Sequence, residues 1–273
     1  MQIEESVAIV TGAGSGIGEA LAESFAAAGA RVVVGDIDAA GADRTADRIA
    51  QRGHTAVAVR ADASIATDIG TMIDLATTRF GPVDIYVANA GVAGPPGLGM
   101  SEEDWDRVLD VNVRAHVRAA ALVVPGWIER GRGHFVSTAS AAGLLTQIGA
   151  AAYAVSKHAV VGFAEWLAVT YGDDGVGVSC LCPMGVNTAL LRTARESSDA
   201  AEQLTLSAIT RAAEVIEPQL VADLAVDAVR EGKFLVLPHP QVLDLYREKG
   251  ADYDGWVSGM RRYQRSLPTI CGA

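Results

Sequence analysis

The segment Thr11–Gly18, TGAGSGIG, follows a short apolar run and opens an Ala-rich stretch of helical period. Glycine lets a backbone approach a pyrophosphate closely, and the first turn of a helix offers free N–H groups and a positive dipole end to an anion. The spacing of Gly12, Gly16 and Gly18 is not the G-x-G-x-x-G of long-chain dinucleotide folds. The context predicts a strand, a phosphate-binding turn and a helix. The alternative is a tight turn without a ligand.

Asp36 follows the second predicted strand. A carboxylate at this place accepts hydrogen bonds from the adenosine ribose hydroxyls and repels a 2′-phosphate. Neither Ser15 nor Ile37 supplies the Arg or Lys that a 2′-phosphate requires. These residues predict binding of NAD rather than NADP. The alternative for Asp36 is a solvated turn residue, because Asp38 and Asp43 show that acids are common here.

Outward from this segment, β-rich apolar runs alternate with Ala-rich runs of helical period. The predicted strands are Val7–Thr11, Arg31–Gly35, Thr55–Arg60, Val83–Ala88, Gly133–Ser137, Gly177–Leu181 and Phe234–Leu237. The predicted helices are Gly16–Ala28, Ala39–Gln51, Ile65–Arg79, Glu102–Arg130, Ala151–Tyr171 and Pro218–Glu231. Nearly continuous apolar strands are typical of parallel sheets buried on both faces. We therefore predict an α/β protein with a single doubly wound parallel seven-stranded sheet, Rossmann-like, with helices on both faces, in one domain over residues 1–273.

Three segments interrupt the alternation, and each follows a strand at the end where open α/β sheets bind ligands. They are Val92–Gly99, Ala141–Ala150 and Asn187–Ala213. We expect the third, at about 187–213, to be a helical insertion that can close over a substrate pocket. The extension at about 239–273 is aromatic, with Tyr246, Tyr253, Trp256 and Tyr263. It can pack on a partner subunit or cap the pocket, and the enrichment of aromatic residues in interface cores favours the subunit.

Composition excludes several classes of partner. A net charge of −11 disfavours nucleic acid and anionic membrane surfaces, and no apolar run approaches the roughly 20 residues of a membrane helix. Met1–Val7 holds two acids and no basic region, so we expect no secretory signal and a cytoplasmic protein. Cys180, Cys182 and Cys271 are expected to be reduced thiols, and no residue spacing predicts a metal site.

Tyr153 and Lys157 lie four residues apart in a predicted helix, so their side chains leave the same face one turn apart. A nearby ammonium favours the phenolate, so it is expected to lower the pKa of the phenol from about 10. A pair with this spacing also occurs by chance on helix surfaces. Ser140 ends the run that follows the fifth strand, which places its hydroxyl at the sheet edge that carries the glycine loop.

These motifs together resemble those of the short-chain dehydrogenase/reductase family in order and spacing. The matching motifs are Thr11–Gly18, Asn89-Ala90-Gly91, Asn112, Ser140, and Tyr153 with Lys157. The likeness is strong over Ser6–Thr188. Several motifs in register are far more specific than any one of them.

The resemblance implies four catalytic residues. Tyr153 would be the general acid/base, and Lys157 would lower its pKa and hold the nicotinamide ribose. Ser140 would hydrogen-bond the reacting oxygen and stabilise its developing charge. Asn112 would hold a water leading from Lys157 to solvent. The alternative for Asn112 is a helix residue that hydrogen-bonds a neighbouring element.

The resemblance also implies the residues that hold NAD. The predicted cofactor-binding residues are Gly12, Ser15, Gly16, Ile17, Gly18, Asp36, Asp62, Ala63, Asn89, Ala90, Gly91, Tyr153, Lys157, Pro183, Val186 and Thr188. The sequence departs from the family pattern Pro-Gly-x-Val-x-Thr, because Met184 follows Pro183. The Met184 side chain can form an apolar pocket wall or face the core.

We therefore expect an NAD-dependent oxidoreductase that interconverts a secondary alcohol and a ketone. The alternatives are an NADP-dependent carbonyl reductase and a catalytically silent dinucleotide-binding regulator. The apolar composition of the three loops predicts a small apolar substrate, such as a terpenoid, steroid or lipid-like alcohol. The resemblance further implies a homodimer or homotetramer packed through the long helices.

Overall fold

The sheet has seven strands, and every neighbouring pair is parallel. The computed structural model describes residues 1–267. The strands are β1 Val7–Thr11, β2 Arg31–Asp36, β3 Ala56–Arg60, β4 Ile85–Ala88, β5 Gly133–Thr138, β6 Val176–Leu181 and β7 Leu235–Val236. They lie in the order β3-β2-β1-β4-β5-β6-β7. The strand order reverses between β1 and β4, so the predicted doubly wound, Rossmann-like fold is confirmed.

Helices cover both faces of this sheet. They are α1 Gly16–Ala27, α2 Ala39–Gln51, α3 Ala66–Arg79, α4 Glu102–Leu109, α5 Ala115–Arg130, α6 Ala151–Tyr171, α7 Ala189–Glu196, α8 Ala200–Ala212, α9 Pro218–Glu231, α10 Gln241–Ala251 and α11 Tyr253–Ser266. Ile9 of β1 packs into the core under α3, α5 and α6, while Ala8 and Val10 pack into the core under α1, α2 and α9. This alternation explains why β1 is apolar at every central position.

The strand bounds differ from the predicted ones by at most two residues. The largest shift is at β4, which begins at Ile85 rather than Val83. The carbonyl oxygen of Val83 accepts hydrogen bonds from the indole of Trp127 (2.7 Å) and from Arg130 (2.6 Å), so it is occupied by side chains. The expectation that every strand is buried on both faces is wrong for β3, which is half-buried because it lies at the sheet edge.

The predicted helix Glu102–Arg130 is also wrong as one continuous α-helix. A π-helical segment, Asp110–Arg114, separates α4 from α5. A π-turn holds an extra residue and often occurs at functional sites. It places Asn112 fully inside the protein. The apolar pattern continues through the segment, so the sequence gives no signal of the break.

The C-terminal extension packs on the insertion of residues 187–213. The insertion forms α7 and α8, and the described part of the extension forms α10 and α11. Ile148, Ala208 and Leu267 make a small apolar cluster with Met260 and Tyr263 packed against it. Cys271 lies outside the described residues. Within residues 1–267, no helix has both the length and the apolar character needed to cross a bilayer.

Two histidines lie in the core as neutral rings. His116 contacts the Ser137 hydroxyl through Nδ1 (3.2 Å), and His134 contacts the Ser179 hydroxyl through Nε2 (2.9 Å). Burial lowers the pKa of each to about 3, and the charge of Lys157 contributes to the shift at His116. Charging either ring in the core is unfavourable because the charge loses its solvation there.

These histidines make the protein sensitive to acid. Because their folded-state pKa lies below the ordinary value of about 6.5, their stabilising contribution is present above pH 6.5 and is lost as the pH falls toward 3. We expect His134→Asn to reduce the slope of the free energy of unfolding against pH by up to about 1.4 kcal/mol per pH unit in this window. Urea unfolding at a series of pH values measures the slope. The exposed His158 supplies the control His158→Asn. Equal slopes for the two variants would contradict the assignment.

Candidate active site

A cavity of about 960 Å³ opens at the carboxyl ends of β1, β4, β5 and β6. Open α/β sheets bind ligands at this edge, beside the point where the strand order reverses. The volume lies at the upper end of the range for ligand sites. Every predicted cofactor-binding residue lines this cavity, as does Ser140.

The glycine loop forms one end of the cavity and can approach a phosphate group. Gly12 and Gly16 have φ values of +62° and +60°, a conformation that favours glycine. A Cβ at Gly18 would collide with the carbonyl oxygen of Gly12 and with the amide nitrogen of Asn89. Because α1 begins at Gly16, its unpaired N–H groups lie at the cavity wall. The loop therefore has the backbone shape and the electrostatics to hold a pyrophosphate.

Thr11 fixes the floor of the cavity. Its hydroxyl accepts hydrogen bonds from the backbone N–H groups of Asn89 (3.0 Å) and Ala90 (3.1 Å) and donates to the carbonyl of Val87 (3.2 Å). The Asn89 amide donates in return to the carbonyl of Thr11 (3.0 Å). These bonds tie the turn that ends at Gly91 to the end of β1. The sequence interpretation included Thr11 in the loop but missed this role.

Asp36 retains free acceptor sites at the cavity. One carboxylate oxygen accepts the N–H of Gly14 and the other accepts the N–H of Asp38, both at 2.8 Å. A carboxylate has about four lone-pair sites, so each oxygen can accept another hydrogen bond. The half-buried side chain lines the cavity beside the exposed Ile37. Asp36 therefore fits a pair of ribose hydroxyls, and its local hydrogen bonds also hold the glycine loop.

The segment after β6 closes the middle of the cavity. The carbonyl of Pro183 accepts the N–H of Ala141 (2.8 Å), and Thr188 occupies the N-cap position of α7 without a side-chain capping bond. Met184 is half-buried, contacts the core and also lines the cavity, so both alternatives for its side chain apply. Its backbone N–H donates to the ring of His239 (3.1 Å).

The structure brings Ser140, Tyr153 and Lys157 to the same cavity. The Ser140 hydroxyl follows β5, donates to the carbonyl of Pro183 (3.3 Å) and accepts the N–H of Ala142 (3.1 Å). Tyr153 and Lys157 lie on α6, and the Lys157 Nζ is 5.6 Å from the centroid of the Tyr153 ring. The Lys157 ammonium is buried and donates to the carbonyl of Thr138 (2.8 Å).

The pKa of Tyr153 does not shift as the sequence predicted. Burial raises it, the nearby Ser140 hydroxyl lowers it in part, and Cys182 raises it further. Burial also lowers the pKa of Lys157 to about 8. The prediction that Lys157 lowers the pKa of Tyr153 is therefore wrong for the protein alone. Loss of solvation outweighs a cation whose hydrogen bond is directed to the Thr138 carbonyl.

Asn112 lies behind the cavity and is not among the residues that line it. Its side-chain oxygen accepts the N–H of Val92 (2.8 Å), and its amide donates to the carbonyl of Val92 (2.9 Å) and the hydroxyl of Ser156 (3.0 Å). These contacts match the alternative in which Asn112 holds a neighbouring element, here the segment after Gly91 against α6. The role of Asn112 in holding a water remains a prediction.

The insertion and the C-terminal extension build one wall of the cavity, and the sequence predicted no individual substrate-contacting residue in that wall. The apolar side chains from α7, α8, α10 and α11 that line it include Leu191, Leu206, Ile209, Leu245, Trp256, Met260 and Tyr263. Trp256 and Tyr263 thus cap the pocket of their own chain, against the favoured alternative of a partner subunit. Tyr246 and Tyr253 are exposed. Two signals pointed to this region: the predicted insertion at 187–213 and the aromatic content of the tail.

The cysteines and acids form no metal centre in the part of the chain that is described. Cys180 and Cys182 are buried, with their sulfur atoms 3.9 Å apart. Within residues 1–267 no group of three or more His, Cys, Asp or Glu side chains is arranged to hold a metal ion.

Comparison with known proteins identifies relatives over most of the chain. A family model described as short chain dehydrogenase matches residues 6–199. The 1-deoxy-11-beta-hydroxypentalenate dehydrogenase of Streptomyces exfoliatus is 40% identical over 196 residues, which cover 70% of this chain and 71% of the relative. The cyclohexanol dehydrogenase of Acinetobacter sp. (strain SE19) is 34% identical over 229 residues, which cover 83% and 90%. A crystal structure of a short chain dehydrogenase/reductase from Burkholderia phymatum in complex with NAD superposes with a TM-score of 0.84 at 33% identity, covering 93% of this chain and 96% of that protein.

Proposed function

Because the chain belongs to the short-chain dehydrogenase family, we propose that it is an NAD-dependent oxidoreductase that interconverts a secondary alcohol and a ketone. One observation carries the proposal. Ser140, Tyr153 and Lys157 line the same cavity as the glycine loop Thr11–Gly18 and Asp36. The names of the two dehydrogenase relatives, which act on alcohols, support the same reaction class.

The residues of the cavity fit a dinucleotide. The loop from Gly12 to Gly18 would hold the pyrophosphate, and Asp36 would hold the adenosine ribose through its free acceptor sites. Asp62 and Ala63 would lie beside the adenine, and the segment from Pro183 to Thr188 would hold the nicotinamide amide and a phosphate. When bound, NAD supplies the hydride acceptor for oxidation, and its reduced form supplies the hydride donor for reduction.

Tyr153 would move the proton. In oxidation its phenolic oxygen accepts the hydroxyl proton of the alcohol, and in reduction the phenol returns a proton to the oxygen of the ketone. The Ser140 hydroxyl would turn from its long 3.3 Å bond with Pro183 to donate to the reacting oxygen. Because burial raises the pKa of Tyr153, the protein alone favours the neutral phenol, and oxidation should be faster at alkaline pH.

The choice of NAD over NADP rests on Asp36. Its carboxylate would repel a 2′-phosphate, and neither Ser15 nor Ile37 supplies a cation. The NAD complex of the Burkholderia phymatum protein supports this choice. An NADP-dependent carbonyl reductase is the alternative cofactor assignment.

A catalytically silent regulator is the alternative outside enzyme chemistry. A protein that kept the dinucleotide site and lost its reaction is expected to lack one of the reactive residues. Ser140, Tyr153 and Lys157 are all present and line one cavity, which favours the enzyme.

The substrate is proposed to be a small apolar alcohol or ketone. Leu191, Leu206, Ile209 and Trp256 line the cavity beyond the predicted cofactor residues. The names of the two relatives contain cyclohexanol and hydroxypentalenate, which suggests a ring-bearing substrate. The proposal includes a single oxidoreductase domain over residues 1–273, with the substrate loop at 187–213. It also includes a cytoplasmic location.

The outer faces of α5 and α6 are proposed to join subunits into a homodimer or homotetramer. Val117, Leu122 and Ile128 are exposed on α5, and Trp166 and Val169 are exposed on the neighbouring α6, with Val169 86% exposed. Exposed apolar side chains of this size on two neighbouring helices support the proposal of an interaction surface.

The first prediction from the proposed function concerns the acid/base residue. We expect purified protein with NAD to oxidise at least one of cyclohexanol, borneol and a 7α-hydroxysteroid, measured by the absorbance of NADH. Tyr153→Phe should lower turnover at least about 100-fold because it removes the proton acceptor. Its dissociation constant for NADH should stay within about twofold of wild type, since the phenol supplies little of the binding energy. The exposed Tyr246 gives the matched control Tyr246→Phe. An inactive wild type that binds NADH as tightly as Tyr153→Phe would favour the regulator.

The second prediction concerns the cofactor. Asp36→Ala should lower the ratio of kcat/KM with NAD to kcat/KM with NADP at least about tenfold, because the repulsion of the 2′-phosphate is lost. Asp43→Ala removes the same charge from an exposed position of α2 and should leave the ratio unchanged. A wild type that binds NADPH more tightly than NADH would contradict the assignment of Asp36.

The third prediction concerns the interface. We expect light scattering after size exclusion to give a dimer or tetramer mass for wild type, and a monomer mass for Val169→Asp, because a charge cannot be buried in an apolar contact. Val257→Asp changes an exposed valine of α11, outside the proposed interface, and should keep the wild-type mass. A monomeric wild type would rule out the interface.

A further inference from the structure

Lys249 of α10 is a buried cation whose partners are all uncharged. Only 7% of the residue is exposed, whereas Lys233 is exposed. The Lys249 ammonium donates to the carbonyls of Leu144 (2.7 Å) and Leu145 (3.1 Å) and lies 5.3 Å from the centroid of the Tyr253 ring. Within residues 1–267, no carboxylate lies within 4 Å of it.

Burying an ammonium costs much free energy unless its three N–H groups find partners. Two carbonyl oxygens and the face of the Tyr253 ring supply these partners here. Breaking the contact would leave a buried charge unpaired, which is more costly than losing an ordinary hydrogen bond. Lys249 therefore holds the Leu144 and Leu145 carbonyls firmly in place.

Those carbonyls begin the loop that joins Ser140 to the helix of Tyr153. Leu145, Thr146, Gln147 and Ile148 of this loop line the cavity. Leu144 and Leu145 lie between Ser140 and Tyr153 in the sequence, so Lys249 contacts the segment that connects these two proposed reactive residues. The backbone that Lys249 holds thus forms part of the cavity wall.

Thr146 shows that this backbone is held in an unusual conformation. Its φ is +153°, which is rare for a residue branched at Cβ and costs on the order of 1–3 kcal/mol. The φ angle of Thr146 depends on the orientation of the peptide group between Leu145 and Thr146. The carbonyl oxygen of that peptide group belongs to Leu145. Because Lys249 binds that oxygen, it fixes the orientation that places Thr146 at the cavity.

The other end of the loop is anchored separately. Gly149 has a φ of +84°, and its carbonyl accepts the N–H of Gly97 (2.8 Å). A Cβ at Gly149 would collide with the hydroxyl of Thr205 in α8. Residues 146–148 are thus presented to the cavity between two fixed points.

We propose that Lys249 is a positioning residue that fixes residues 146–148 in the wall of the cavity. It thereby determines specificity for bulky apolar alcohols. The proposal rests on the proposed alcohol dehydrogenase function. A bicyclic alcohol that reaches Thr146–Ile148 depends on the position of this loop. A single-ring alcohol held near Tyr153 does not.

The test compares borneol with cyclohexanol in Lys249→Met, in Lys249→Arg, which keeps the charge and donors, and in the matched control Lys233→Met. Lys249→Met should raise the KM for borneol, or its inhibition constant against cyclohexanol oxidation, about tenfold. The KM for cyclohexanol, kcat and the dissociation constant for NADH should stay within about twofold. Lys249→Arg should recover most of the borneol affinity, and Lys233→Met should match wild type. Should Lys249→Met fail to fold, Lys249→Gln, which keeps a donor on a shorter side chain, carries the same comparison.

Hydrogen exchange of the backbone at residues 144–150 gives a readout that does not need activity. It should be about tenfold faster in Lys249→Met than in wild type and unchanged in Lys233→Met. If wild type oxidises no alcohol, the proposed function fails, and hydrogen exchange still decides whether Lys249 positions the loop. Unchanged exchange overturns the proposal. An equal loss of affinity for borneol, cyclohexanol and NADH in Lys249→Met also overturns the proposal, because the residue would then be only structural.

Discussion

The hydrogen bond from the Lys157 ammonium to the carbonyl of Thr138 is the interaction on which the arrangement of the site depends. It joins the end of β5, which leads to Ser140, to α6, which carries Tyr153. The ammonium is buried, and the loss of solvation lowers its pKa to about 8. Loss of this bond would leave both a charge and a carbonyl unpaired in the protein interior. Such a contact holds its two elements in one relative position.

Lys249 also donates from a buried ammonium to backbone carbonyls, and its contacts lie on the other side of Ser140 along the chain. Lys157 binds the carbonyl of Thr138, two residues before Ser140, and Lys249 binds the carbonyls of Leu144 and Leu145, four and five residues after it. Both cations are buried and both are solvated by backbone oxygens. Ser140 therefore lies between the two contacts along the chain, and the contact of Lys249 falls on the loop that follows it. A backbone carbonyl is a neutral acceptor, so neither contact introduces a second charge near the phenol of Tyr153.

The electrostatics of the phenol differ from what helical spacing alone suggests. A lysine four residues from a tyrosine is expected to stabilise a phenolate, but burial raises the pKa of Tyr153. The four-residue spacing places Lys157 on the correct face of α6. The spacing does not show how far the phenol and the ammonium are buried, or that the ammonium binds the Thr138 carbonyl. The same limit applies to Asn112. Its predicted position in a helix is nearly correct, but the π-helical segment gives it buried partners that no local pattern records.

The sequence alone determined the parallel sheet and the bounds of α2, α6 and α9, and its resemblance to the short-chain dehydrogenase/reductase family named the proposed cofactor residues that line the cavity. The sheet and the helix bounds depend on local rules, which are apolar runs of strand length and helical periodicity. The tertiary structure decided the substrate wall, the partners of Asn112 and the direction of the pKa shift at Tyr153. Each of these depends on burial or on contacts between distant residues, such as the bond between Lys249 and Leu144 across 105 positions. A linear pattern specifies which groups are present, and only the fold specifies which of them lose their water.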